Sequence, residues 1–185
     1  MPVHHIKAMH WFVQQFWLEC DNFMFATSSR EASHVEHLIL TLRRSDFWDW
    51  QSSYPIGIDP RLPARGTAGG VKETWMKDYA GEAVPQHPDA FGSHLRNMPL
   101  LKSFVLNMET EEKQEAELEA IVNHAKKYWS FQHFSGDDMV SDQTVTVKRW
   151  IGPPCLVARR GTFQRVSEKP RLVKYTLTFK MESTI

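Results

Sequence analysis

Cysteine is scarce in this chain: its 185 residues include two, Cys20 and Cys155, far apart and in no C-x-x-C spacing. That excludes a disulfide framework and a zinc ribbon, which need several thiols at close spacing, and it suits reduced thiols in an intracellular protein. Long apolar runs are lacking as well. No stretch reaches the roughly 18 apolar residues of a membrane span, and the opening MPVHHIKAMHWFVQQFWLEC has no basic segment followed by an uninterrupted apolar one. The expected location is therefore the cytoplasm or nucleus, with no membrane partner. Net charge is absent too. With 22 basic residues against 22 acidic ones, no global field draws the chain to nucleic acid or to an anionic surface.

Catalytic signatures are missing. There is no G-x-S-x-G elbow, no G-x-x-x-x-G-K-[ST], no G-x-G-x-x-G and no H-E-x-x-H. Gly69-Gly70-Val71-Lys72 is a turn too short to cradle a phosphate. The nine histidines show no H-x3-H spacing, and His34 and His37, three apart near a strand, fall on opposite faces. No metal site and no cofactor are expected. Asp46, Asp49, Asp59, Glu109, Glu111 and Glu112 could supply an acid/base pair, but no spacing brings two of them together, so they read as solvated charges. Cys155 lies near Arg159 and Arg160 without a neighbouring histidine to activate it, and reads as an idle thiol.

What is present is a domain-sized chain with 42% hydrophobic residues, seven Trp and eleven Phe, enough for one continuous core. A single domain spanning 1–185 is expected. Its most legible unit is Met98 to Phe134. Phe104, Leu106 and Met108 alternate as in a half-buried strand. A helix is predicted over 111–129, capped by Thr110, with Glu111 and Glu112 at its positive end and Lys126 and Lys127 at its negative end. Leu118, Ile121, Val122, Ala125 and Trp129 form its apolar stripe.

The lead-in L-x-x-L-x-L-x-L recurs at 13–20, 35–42, 101–108 and 172–179, and the first two starts are 22 residues apart, a leucine-rich-repeat period. The expected fold is thus α/β: an irregular leucine-rich-repeat-like solenoid fragment, its sheet mainly parallel, with flanking helices and a core that includes Phe16, Leu18, Leu38, Leu40, Leu42, Phe104, Leu106, Tyr175, Leu177 and Phe179. The runner-up is an α+β sandwich. Thr144 to Val147 has strand propensity without the lead-in. An irregular insertion is expected at about 45–97, with Pro and Gly throughout 52–70 and short helices at 71–79 and 91–97. SGDDMVSDQ, after Phe134, reads as a polar turn.

HLILTLRRSDFWDW at 37–50, PIGIDP at 55–60, MPLLKSFVLNMET at 98–110 and IVNHAKKYWSF at 121–131 together resemble the leucine-rich-repeat region of fungal F-box-like proteins. The resemblance covers about residues 34–134. It implies a repeat region that holds a target for a ubiquitin ligase; docking of a Skp-type adaptor is not expected of this chain, because no F-box-like segment with a Leu-Pro start precedes the first repeat.

The candidate partner-binding residues are Arg43, Arg44, Asp46, Trp48, Asp49 and Trp50, since Arg and Trp combine large contact area with directed polar bonds. The structural alternative is that Trp48 and Trp50 plug the core end while the arginines pair with Asp46 or Asp49. The function expected is a non-catalytic protein–protein interaction module. Two alternatives are kept. From Lys148 onward nine basic residues face two acidic ones, which would suit nucleic acid, and the loop acids or histidines could serve a small hydrolase.

Overall fold

The computed structural model describes residues 6–18, 21–43, 58–63, 68–152, 156–159, 162–165 and 169–181. Its centre is a mixed sheet of six strands curled into a half-barrel. The strands are β1 (Ala8–Phe12), β2 (His37–Arg43), β3 (Ser103–Glu111), β4 (Ser130–Gln132), β5 (Asp138–Ile151) and β8 (Arg171–Met181), in the order β1-β2-β3-β8-β5-β4. A separate hairpin is formed by β6 (Leu156–Arg159) and β7 (Thr162–Arg165). The helices are α1 (Gln15–Leu18), α2 (Asp21–Thr27), α3 (Ala68–Ala80) and α4 (Glu115–Tyr128), with a 3-10 turn at Phe91–Asn97.

This overturns the solenoid. Strands β1, β2 and β3 are parallel, but β8 enters antiparallel between β3 and β5, and β4 is antiparallel to β5. Alternation specifies that a strand is buried on one face; it carries no information on strand direction, which the connections decide. The repeat period fails for a related reason. Residues 15–18, in the supposed first strand, form a helical turn, and the strand that pairs with β2 lies earlier, at Ala8–Phe12.

The other three strands match the expected positions closely, and their register explains the core. Leu38, Phe104 and Phe179 stand side by side, as do Leu40, Leu106 and Leu177, and Leu42, Met108 and Tyr175. All nine are buried. Against them packs α4, burying Leu118, Ile121, Val122 and Ala125, with Trp129 just beyond its end. Phe131 is 4.8 Å, ring centre to ring centre, from both Phe104 and Phe179. Further edge-on and tilted contacts run from it through Phe91 and Phe23 to Trp11, so aromatics cross the interior from α4's sheet to β1. Of the expected core, the Phe16 side chain lies outside the described residues.

Two local expectations are corrected. Thr110 is buried at the end of β3 and caps no helix; the chain enters α4 through a 3-10 turn at Glu112–Gln114. SGDDMVSDQ is a turn only to Asp137, after which β5 begins. The bulge in β5 between Ser141 and Val145 holds Gln143 at φ 66°. Gln143 Nε2 donates to the Lys126 carbonyl at 2.9 Å, satisfying one acceptor that the end of α4 leaves open.

Candidate functional site

Among the described residues, two places stand out for their side chains. The first is enclosed. Asp59, Pro60 and Arg61 make a turn in which the Arg61 backbone N–H donates to Asp59 Oδ1 at 2.9 Å. The same carboxylate takes two bonds from the Arg61 side chain, Nε to Oδ1 at 2.9 Å and Nη2 to Oδ2 at 2.8 Å. From α3, Asp78 receives Nη1 and Nη2 at 2.7 Å each. One guanidinium thus serves two carboxylates, using its planar fork twice. All three side chains are nearly inaccessible. Burial works against the Arg61 charge, but the bonds to Asp59 and Asp78 outweigh it and hold the guanidinium above its ordinary pKa.

His124 of α4 completes this cluster. Its side chain is fully buried, and Nε2 lies 2.9 Å from Asp78 Oδ2, though off the line of an aligned hydrogen bond. Trp75 stacks on the imidazole at 4.1 Å, Tyr128 covers it at 4.8 Å, and Tyr79 meets it edge-on at 5.6 Å. Burial lowers the His124 pKa, against the pull of Asp78 and Asp59. The cluster therefore joins the 58–63 loop, α3 and α4, with the Arg61 guanidinium and the two carboxylates committed to one another, while His124 Nε2 and the Trp75 indole N–H are buried without an aligned hydrogen bond. The loop is held from a second side by Gly92, whose N–H donates to the Pro60 carbonyl at 3.0 Å. A Cβ on Gly92 would stand 2.6 Å from that oxygen, so this approach requires glycine.

The second place is open. A groove of about 550 Å³ is lined by His10, Trp11, Phe12, Val13, Gln14, Trp17 and Ala26, between the edge strand β1 and the short helices α1 and α2. Phe12 is 66% exposed, and its ring stacks on that of His10 at 4.4 Å. His10 Nε2 is 2.8 Å from Thr41 Oγ1, which accepts from Asn107 Nδ2 at 3.1 Å; Asn107 Oδ1 in turn accepts from Thr176 at 2.6 Å. This polar row ties β1, β2, β3 and β8 together and holds His10 in place at the edge.

Of the six candidate partner-binding residues, Arg43 is exposed at the end of β2, in register with Glu109. Arg44, Asp46, Trp48, Asp49 and Trp50 lie outside the described residues. Strand β2 ends at Arg43, two residues after the Thr41 carbonyl that accepts from the Val13 N–H at 3.1 Å. Sequence reasoning missed the pairing of Asp59, Arg61, Asp78 and His124. The Asp-Pro-Arg turn was its one local signal; the encounter with Asp78 and His124, 17 and 63 residues beyond Arg61, was not legible.

Among the described residues no group of three or more His, Cys, Asp or Glu is arranged to hold a metal ion, and no helix is long and apolar enough to cross a membrane. Comparison with protein-family models, curated proteins and solved structures finds no match to this chain.

Proposed function

We propose that this chain is a non-catalytic protein–protein interaction domain, and that its partner surface includes the groove beside β1 and the 43–50 segment that follows β2 in sequence. The observation that carries this reading is the open aromatic groove at an edge strand, in contrast to the buried cluster, where the Arg61 guanidinium is taken up by the Asp59 and Asp78 carboxylates. The proposed partner is the kind that the sequence resemblance implies, a ubiquitin-ligase target, although the repeat architecture of that resemblance is replaced here by a mixed sheet.

Nucleic acid is less favoured, because three of the nine basic residues late in the chain meet acids from earlier elements. Arg149 pairs with Glu115, Arg171 with Glu112 at 3.6 Å and Lys180 with Asp142 at 3.2 Å. Those three charges are thereby matched by opposite ones.

The test is partner capture with variants in 43–50. Trp48→Ala that keeps the melting curve and weakens the captured partner by roughly 2 kcal/mol or more marks a hot spot. If Trp48→Ala unfolds the domain and Arg44→Ala leaves binding unchanged, the segment is a core plug and the reading of this segment is dropped.

A further inference from the structure

The groove beside β1 is lined by five consecutive residues, His10 to Val13 and Gln14. Alternate residues of a strand point to opposite faces, so a cavity that touches all of them runs along the strand's edge and reaches its backbone. The backbone pattern identifies which groups face it. The Val13 N–H bonds to Thr41 of β2, and the Lys7 carbonyl accepts from Glu36 and His37 on the same side. In a parallel pair the bonding groups of alternate residues share a side, so Met9 and Trp11 also face β2. Ala8, His10 and Phe12 then present their N–H and C=O groups away from it, where no strand pairs among the described residues.

Natural edge strands are blunted by charge, proline or bulges, or are kept very short. The opposite edge of this sheet follows that rule, since β4 has three residues, Ser130–Gln132, and the length of β5 beyond it carries a bulge and the charges of Lys148 and Arg149. Strand β1 does not: AMHWF contains no charged residue and no proline. The far wall of the groove is formed by Trp17 of α1 and Ala26 of α2. Its described lining contains no Lys, Arg, Asp or Glu, and a charged side chain seated there would lose hydration without gaining a partner.

We infer that the free edge of β1 receives an extended, uncharged segment of a partner protein as an added strand. This rests on the interaction reading above and specifies its chemistry: main-chain bonds to Ala8, His10 and Phe12 supply binding, and apolar side chains at alternate positions meet Trp11 and Trp17, which pack together on one face of β1.

The probe is an acetylated, amidated heptapeptide alternating valine and threonine, with a control in which glutamate replaces valine. Amide hydrogen exchange of the full chain is followed by NMR. At saturating peptide the Ala8, His10 and Phe12 amides slow at least tenfold, those of Met9 and Trp11 are unchanged, and the glutamate peptide protects none. Phe12→Pro, or Ala8→Pro at the first strand position if the former fails to fold, abolishes the protection. The proposal is overturned if millimolar peptide protects none of the three amides, if odd and even positions are protected alike, or if folded proline variants bind as well as the parent. Sedimentation showing that a second copy protects the same amides also overturns it. Absence of protection alongside a captured partner that Trp48→Ala releases overturns strand addition alone and leaves the interaction reading standing.

Discussion

Arg61 and Asp78 meet face to face, two nitrogens on two oxygens at 2.7 Å each, although one belongs to a proline-flanked loop and the other to α3. Removing the cation leaves Asp59 and Asp78 buried without a counter-charge. Arg61→Met is expected to cost about 3–5 kcal/mol, the range for breaking one side of a buried ion pair. Urea unfolding measures the loss, and hydrogen exchange at 68–80 should rise before exchange in the sheet does.

His124 makes stability depend on pH. The folded ring resists protonation, chiefly through burial, whereas the unfolded ring titrates near its ordinary value of 6.5. The unfolded state therefore binds more protons, and the contribution is fully present above about pH 6.5 and declines as pH falls below it. Thermal melts between pH 8 and 5 should show this slope, and His124→Gln should flatten it; an equal slope in the variant would assign the effect elsewhere.

Glu36 ties together the starts of three parallel strands. Its carboxylate takes Lys102 Nζ at 2.6 Å and Lys7 Nζ at 3.1 Å, while its carbonyl accepts from the Lys102 N–H at 2.7 Å. The hydrogen bonds from Lys102 and then Lys7 lower its pKa to about 2. Its contribution is present above the ordinary 4.5 and lost as pH falls toward 2. An NMR titration should place the Glu36 midpoint near 2, and Lys102→Met should move it upward.

Phe131 links the aromatic contacts of the core, touching Phe91, Phe104 and Phe179. Phe131→Ala should cost about 3–5 kcal/mol in denaturant unfolding, and Phe131→Leu clearly less, because more of the volume is retained.

Gly92 gives a test of backbone approach. The Pro60 carbonyl lies where a Cβ would go, and that carbonyl is fixed on the loop of the charge cluster. Gly92→Ala should destabilise by about 1–3 kcal/mol, the usual range for overpacking; a neutral result would mean that the loop yields.

The sequence by itself determined the local matters. Alternation placed strands at 35–42, 101–108 and 172–179, each overlapping an observed strand, and the stripe from Leu118 to Trp129 placed the long helix and its buried face. Both signals arise from neighbours a few residues apart, where side-chain period and burial are coupled. Tertiary structure decided the rest. Strand order and direction follow from which connection returns where, so β8 could insert antiparallel beside β3 without altering one residue of its pattern. The same holds for the buried cluster. His124 belongs to a helix whose spacing was readable, but its burial depends on Trp75, Tyr79 and Asp78 arriving from α3. Even the groove at β1 was hidden, because an edge is a property of the sheet: Ala8 to Phe12 would read the same as an inner strand, and only the absence of a described neighbour on one side leaves its amides open.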